Sequence, residues 1–158
     1  MSTIPMEDRL EIQDLVARYT FHTDTKDYAA VPPLFADDAV WDESVLGAPP
    51  SEGREAIEET FANFESAGID SVIHINGCHL ISAHDGDRAS GSSHLHAEIR
   101  AMGRTIRILG YYADDYVKVD GAWRFASRRL VELAPTEGLP TPEEIEAMTA
   151  PAAAGSAS

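Results

Sequence analysis

The sequence has a single cysteine and no long apolar run. Cys78 is the only cysteine among 158 residues, so no disulfide can form within the chain. No apolar stretch reaches the roughly 18–20 residues that span a bilayer. The N-terminal segment also lacks the basic and apolar regions of a secretory signal. We therefore expect a protein of the cytoplasm.

Positive charge is also scarce. Lys and Arg number 12 against 27 Asp and Glu, which gives a net charge of −15. A chain this acidic repels nucleic-acid backbones and anionic membranes at long range, so we expect neither as a partner. The length suits one domain, and 44% apolar with 25% charged residues is ordinary globular composition. These values exclude collagen, a coiled coil and wholesale disorder.

Helical patterns occupy the first part of the chain. Apolar residues at i, i+3, i+4 and i+7 spacing predict amphipathic helices over residues 7–24 and 54–67. Between them, adjacent prolines limit a short helix around residues 28–35. A short strand is predicted at 39–43, and residues 46–53 have the composition of a loop.

Strand patterns occupy the second part. Strands are predicted over residues 71–83, 89–102, 105–119 and 123–133. A turn is predicted at residues 84–87. Helices followed by strands indicate an α+β domain, with N-terminal helices packed on a curved, mostly antiparallel sheet. We place this domain at residues 1–135 and expect residues 136–158, rich in Pro, Ala and Ser, to form a flexible tail.

Six histidines are the first candidates for chemistry. His84 falls in the predicted turn and is expected at the surface. His94, His96 and Glu98 alternate along one strand and share a face, which suits either a metal site or a wet outer face at a subunit contact. No further ligand can be placed from the sequence, so we expect no metal and no other cofactor.

Asp24 and His74 form a second candidate pair. Asp24 follows the first predicted helix and could be a simple turn residue, and a lone strand histidine such as His74 is often structural. Helical phasing from Ile12 places Thr23 nearer the apolar face than Asp24. If Asp24 and His74 are paired, the carboxylate fixes the imidazole tautomer and stabilises the cation that forms on proton uptake.

Several short motifs follow one another in order along residues 7–133. They are Ile12-Gln13-Asp14-Leu15, Asp24, Leu34-Phe35-Ala36-Asp37-Asp38-Ala39-Val40-Trp41, Gly53 before a helix, His74 with Asn76, Gly86-Asp87-Arg88-Ala89, Gly110-x-Tyr112-x-Asp114 and Asp120-Gly121-x-Trp123-Arg124-Phe125. Their order and spacing resemble the SnoaL-like branch of the nuclear-transport-factor-2-like (NTF2-like) superfamily. The resemblance implies a cone-shaped α+β barrel whose curved sheet wraps a deep, mostly apolar pocket under the N-terminal helices.

The resemblance also implies site residues. Scytalone dehydratase, bile-acid 7α-dehydratase and hexachlorocyclohexane dehydrochlorinase belong to this superfamily, and such members use a His–Asp dyad. Asp24 and His74 match the dyad positions, Tyr19 matches a catalytic tyrosine, and Trp41 and Arg128 match pocket positions. Further substrate-binding positions are expected at Val72, Asn76, Leu95 and Tyr112.

The function implied by the resemblance is that of a cofactor-independent lyase. A dehydratase acting on a hydrophobic, oxygenated small molecule (a polyketide, steroid or aromatic intermediate) fits best. His74 would remove a proton from carbon, while Tyr19 and Arg128 would stabilise the departing or enolising oxygen. The alternatives are an isomerase, cyclase or dehydrohalogenase on the same dyad, or a non-catalytic module. Such a module would be the small subunit of a ring-hydroxylating dioxygenase or a ligand-binding protein.

The predicted strands carry apolar or aromatic residues on both faces. Leu109 and Tyr111 alternate with Ile108 and Tyr112 along one of them. An antiparallel sheet with one wet face alternates more cleanly between apolar and polar residues. We therefore expect a homo-oligomer, a dimer or a trimer, that uses the convex face of the sheet.

Overall fold

The computed structural model describes residues 4–141, 143 and 144. Helix α1 spans Met6–Asp24 and buries one apolar face that includes Ile12, Leu15 and Tyr19, as its periodicity predicts. Helix α2 spans Arg54–Ser66 and buries Ile57 and Phe61. Single 3₁₀ turns occupy Tyr28–Ala30, Pro32–Leu34 and Ser44–Leu46. None of the described helices is long and apolar enough to cross a membrane.

Six strands form one curved sheet against these helices. They are β1 (Phe35–Asp42), β2 (Ser51–Glu52), β3 (Ile69–Asp85), β4 (Arg88–Ala101), β5 (Arg104–Val119) and β6 (Ala122–Glu137). The order is β2-β1-β6-β5-β4-β3, and every pairing is antiparallel except the parallel pairing of β1 with β6. The predicted α+β class is confirmed. The sheet is open, however, because β2 and β3 form its two edges.

Strand β3 extends further than its sequence pattern indicated. Its ladder with β4 continues through the pairs His84–Ala89 and Asp85–Arg88, so only residues 86 and 87 form the turn. The expectation of a surface histidine at position 84 is therefore wrong. The His84 side chain is only 8% exposed, with its ring beside Trp123.

The last strand bears on the predicted domain boundary. Strand β6 ends at Glu137, two residues beyond the limit of 135 drawn from the sequence. Arg104 forms an ion pair with Glu144, so part of the segment after β6 contacts the sheet. The rest of the predicted tail, residues 142 and 145–158, lies outside the described residues.

The convex face of the sheet carries exposed apolar side chains. Ile73 and Ile75 on β3 are 57% and 63% exposed, and Leu109 on β5 is 46% exposed. His94 and His96 lie exposed on the same face of β4. Within the described residues, no group of three His, Cys, Asp or Glu side chains is arranged to hold a metal ion, and Glu98 instead contacts Arg100 and Arg107.

Gly110 allows β5 and β6 to approach closely at an irregularity in their pairing. A Cβ atom at this buried position would lie 2.3 Å from the Val131 carbonyl oxygen, which is backbone and cannot move aside cheaply. We expect Gly110→Ala to cost about 1–3 kcal/mol by overpacking. For a chain of this size, that cost lowers the melting temperature by about 2–4 °C per kcal/mol.

The matched control is Gly77→Ala in β3, where a new Cβ would meet only the His94 Cβ at 3.7 Å. Both variants are compared with the wild type by thermal unfolding followed by circular dichroism. Equal melting temperatures for the two variants would contradict the close approach at Gly110.

Candidate active site

A cavity of about 250 Å³ lies between the two helices and the concave face of the sheet. Aliphatic and aromatic side chains form most of its wall. The polar groups in the wall belong to Tyr19, Thr23, Tyr28, Trp41, Glu43 and His74. A mostly apolar cavity with a few converging polar groups is the usual form of a small-molecule site.

Asp24 and His74 form the central pair. Nδ1 of His74 lies 2.6 Å from Oδ1 of Asp24. The His74 side chain is 8% exposed and the Asp24 side chain is 23% exposed. The backbone N–H of His74 also donates to both carboxylate oxygens, at 3.1 and 3.0 Å. The carboxylate is therefore fixed from two directions, and the other ring nitrogen, Nε2, is left for the cavity that His74 lines.

The pair forms because α1 ends beside an open sheet edge. Strand β3 has a neighbour on one side only, so the N–H of His74 would otherwise lack a strand partner. Asp24, the last residue of α1, supplies the acceptor while its backbone remains part of the helix. Thr23 faces inward and is buried, as the phasing predicted. Lys26 adds a second link by donating from Nζ to the Asp70 carbonyl at 2.8 Å.

Tyr19 and Trp41 form a hydrogen-bonded pair beside His74. Nε1 of Trp41 donates to the Tyr19 hydroxyl at 3.0 Å, and the Tyr19 ring meets the His74 ring edge-on at a centroid distance of 6.5 Å. Burial raises the pKa of Tyr19, so this hydroxyl stays protonated. Because the Tyr19 oxygen accepts from Trp41, its own proton remains available to an oxygen atom in the cavity.

Arg128 lies beneath the cavity and is fully buried. Nε and Nη2 of Arg128 donate to the two carboxylate oxygens of Asp114, the residue opposite it on β5, at 2.9 and 3.0 Å. Its Cζ atom lies 4.1–4.4 Å from the ring centroids of Tyr19, Tyr112 and Phe125. Burial disfavours the charge, but Asp114 outweighs burial and keeps the pKa of Arg128 above its ordinary value.

Arg128 is therefore not part of the cavity wall, although the sequence placed it among the candidate catalytic residues. The guanidinium instead packs behind the rings of Tyr19 and Tyr112. Within the described residues its Nη1 atom has no hydrogen-bond acceptor, and the aromatic faces provide the negative surface next to it.

The structure adds one polar wall residue that the sequence did not single out. Glu43 directly follows β1, and its Oε1 accepts a hydrogen bond from the Tyr112 hydroxyl at 2.9 Å. Burial raises the pKa of Glu43, while the Tyr112 hydrogen bond, His74 and Arg128 oppose that rise. A charged residue just after a strand resembles an ordinary surface residue in sequence, so only the fold reveals its position.

The remaining predicted binding residues separate into two groups. Val72 lines the cavity. Three others do not line it. Tyr112 lies behind Glu43, and Asn76 donates from Nδ2 to Oγ1 of Thr20. Leu95 packs in the hydrophobic core. The alternation along β3, β4 and β5 placed these side chains on the inner face of the sheet, but their positions along the strands lie beyond the cavity.

Comparison with known proteins assigns the chain to a family. Residues 5–129 match the SnoaL-like domain, which is most of the sequence. The chain therefore belongs to the SnoaL-like family, in agreement with its sheet order and its cavity beneath the N-terminal helices. No curated protein matches the sequence.

Several solved structures share the fold. A protein from Novosphingobium aromaticivorans that is provisionally described as an aromatic ring hydroxylase is 30% identical, with a TM-score of 0.81 over 86% of this chain and 96% of that one. A protein from the same organism, provisionally described as a scytalone dehydratase, is 22% identical, with a TM-score of 0.76 over 86% and 90%. The hexachlorocyclohexane dehydrochlorinase LinA-type3 of Novosphingobium barchaimii is 21% identical, with a TM-score of 0.72 over 82% and 88%.

The ion pair beneath the cavity generates a stability prediction. Both side chains of the Arg128–Asp114 pair are 0% exposed, so Asp114→Asn leaves a buried guanidinium without its counter-charge. We expect a loss of about 3–5 kcal/mol in the free energy of unfolding. The neighbouring Asp115→Asn removes an exposed carboxylate that contacts Ser90 and Ser127, and should cost less than about 1 kcal/mol. Urea unfolding measures both, and equal losses would contradict the role of the buried pair.

Proposed function

We propose that this protein is a cofactor-independent lyase that uses His74 as its general base. The observation that carries the proposal is the Asp24–His74 pair. Nδ1 of His74 binds the Asp24 carboxylate, and Nε2 is left for the apolar cavity. A purely structural module has no need of such an aligned base. The family and the dehydratase and dehydrochlorinase folds among the similar structures support the same reading.

The geometry supports removal of a proton from carbon. The carboxylate of Asp24 accepts a hydrogen bond from Nδ1–H of His74, which selects the tautomer with an unprotonated Nε2. When Nε2 takes up the substrate proton, the carboxylate stabilises the imidazolium. Tyr19 donates a hydrogen bond to the oxygen on which negative charge develops. These groups suffice for an elimination or a proton shift without a metal or organic cofactor.

The cavity favours a small hydrophobic substrate that carries oxygen. Its volume of about 250 Å³ lies below the roughly 300–1,000 Å³ of drug-sized sites, which favours one or two fused rings over a whole steroid. Aromatic side chains such as Tyr28, Phe61 and Phe64 line it and suit an aromatic or polyketide-derived ring. The name of the similar structure that is 30% identical, an aromatic ring hydroxylase, favours the same substrate class.

The base can be tested with nitrobenzisoxazole, a small aromatic probe that opens when a base removes its ring proton. His74→Ala should lower the rate at least about 10²-fold. Asp24→Asn should be comparably severe, because the amide can hold the wrong tautomer and cannot stabilise the cation. Tyr19→Phe should lower the rate by about 10–10³-fold, since it removes one donor. Absorbance of the released phenolate reports the rates, and circular dichroism checks the fold.

The chain contains its own control for this experiment. Nδ1 of His22 lies 3.0 Å from Oδ2 of Asp27, which makes a second His–Asp pair outside the cavity. His22→Ala should leave ring opening unchanged. Near-normal rates in folded His74→Ala would refute the lyase proposal and favour a ligand-binding module.

We also propose that the protein is a homo-oligomer, a dimer or a trimer, assembled through the convex face of the sheet. Exposed Ile73, Ile75 and Leu109 on that face support the proposal, because large apolar side chains in water favour association. Ile75→Asp should shift the species seen by light scattering at micromolar concentration toward monomer, while Leu10→Asp, an exposed change on α1, should not. A monomeric wild type would refute this assembly.

The proposed partners and compartment follow from charge and cysteine content. A net charge of −15 disfavours nucleic acid and anionic membranes, so the proposed partners are a small substrate and further copies of this chain. The one cysteine, Cys78, is exposed and free, which suits a reducing compartment such as the cytoplasm.

A further inference from the structure

Glu43 is the carboxyl group that the general-base proposal leaves unused. It lines the same cavity as His74 and Tyr19, among walls that are otherwise mainly apolar. Its Oε1 accepts from the Tyr112 hydroxyl at 2.9 Å. Within the residues that the structure describes, no side-chain hydrogen bond holds Oε2. One oxygen is thus anchored and the other is available to a ligand.

The hydrogen bond from Tyr112 determines which carboxyl oxygen of Glu43 carries a proton. Burial raises the pKa of Tyr112 well above its ordinary value, and the nearby Glu43 raises it further. The Tyr112 hydroxyl therefore stays protonated and donates to Oε1. A proton on the Glu43 carboxyl then occupies Oε2, the oxygen without a protein partner.

The surroundings of Glu43 favour a carboxyl that exchanges a proton. Burial raises its pKa, and the groups that face it are Tyr112, His74, Arg128 and Asp42, of which only Asp42 acts in the same direction as burial. His74 is thus near enough to interact electrostatically with Glu43. A carboxyl whose pKa is raised by an apolar site can hold the proton that a general acid donates.

We propose that Glu43 is the general acid of the site and that the leaving group is therefore a hydroxyl, not a halide. The inference rests on the proposed role of His74 as base. A hydroxyl leaves readily only as water and needs a proton, whereas a chloride ion leaves without one. An acid facing the base across the cavity has a use only in the first case.

The proposed reaction is balanced in atoms and protons. Nε2 of His74 takes the proton from carbon, and the C–H electron pair becomes the second bond of a new C=C. The C–O bond of the neighbouring carbon breaks, and its oxygen takes the Oε2 proton and leaves as water. The site is left with an imidazolium and a carboxylate, and transfer of a proton from His74 to Glu43 restores it.

A second cavity adjoins the first at Glu43. It has a volume of about 390 Å³, lies between α2 and residues 46–51, and shares Glu43, Trp41, Leu46 and Phe64 with the first cavity. Glu43 therefore lies at the boundary between the two cavities. Water released at its carboxyl therefore forms beside the second cavity.

Two probes that differ in their leaving group test the inference. The aldol adduct of benzaldehyde and acetone must release a hydroxyl, and ultraviolet absorbance reports the enone that forms. Nitrobenzisoxazole releases a stable phenolate that needs no proton. Glu43→Gln keeps the shape and the Tyr112 hydrogen bond but cannot donate a carboxyl proton. It should slow dehydration of the adduct at least about 10²-fold and benzisoxazole opening less than about 3-fold.

Asp38→Asn is the matched control, because Asp38 is an exposed carboxylate on β1, the strand that leads to Glu43, and it does not line the cavity. It should change neither rate by more than about 3-fold. His74→Ala should slow both reactions. Normal benzisoxazole opening by His74→Ala would overturn the proposed base itself.

The remaining outcomes concern Glu43 alone. With the His74 dependence intact, the inference is overturned if Glu43→Gln slows both probes equally, if it slows neither, or if the wild type opens the benzisoxazole without dehydrating the adduct. Selective loss of dehydration supports it.

Thermal unfolding separates a catalytic from a structural role for Glu43. Because burial raises the pKa of Glu43, the folded state holds its proton more tightly than the unfolded chain does. The contribution of Glu43 to the free energy of unfolding is therefore present at low pH. It declines as the pH rises from the pKa of Glu43 in the unfolded chain to its pKa in the folded protein. Glu43→Gln carries no such penalty and should melt at or above the wild-type temperature at neutral pH. A melting temperature several degrees lower, with both activities lost, would identify a structural role and overturn the inference.

Discussion

The buried guanidinium of Arg128 determines how the helices and the sheet meet beneath the cavity. It is bound by Asp114 from the same sheet and contacts the rings of Tyr19, Tyr112 and Phe125. Tyr19 belongs to α1, so a single cation joins helix to sheet. The hydroxyl of Tyr19 in turn accepts from Trp41, and that of Tyr112 binds Glu43. The polar wall of the cavity therefore depends on a charge that the cavity does not contact.

Much of the fold could be predicted from the sequence because helix and strand periodicity follow local rules, whereas the Asp24–His74 pair was expected only from the family resemblance. Periodicities of 3.6 and 2 located both helices and the strands β3 to β6 within a few residues. Helical phasing correctly turned Thr23 inward. The same phasing could not direct Asp24, because its partner is the N–H of an edge strand, and which strand lies at the edge is a property of the whole sheet.

The rest of the site depends on contacts between distant segments. Glu43 and Tyr112 are 69 residues apart, and nothing near position 43 indicates a half-buried carboxyl in a cavity wall. Arg128 matched a pocket position, but the sequence could not show that the opposite residue, Asp114, would draw the guanidinium out of the wall. His84 was misplaced for a similar reason: the turn composition was correct, but pairing with β4 carried the strand through it.

Trp41 gives the site an optical property of its own. Its indole lines the cavity and donates to Tyr19, so a bound ring or a broken hydrogen bond changes the polarity around the chromophore. The other tryptophan, Trp123, lies apart from the cavity, where its Nε1 donates to Asp8. Intrinsic fluorescence therefore divides into a component sensitive to occupancy and a constant background. Ligands can be screened on the unlabelled protein before any substrate is known.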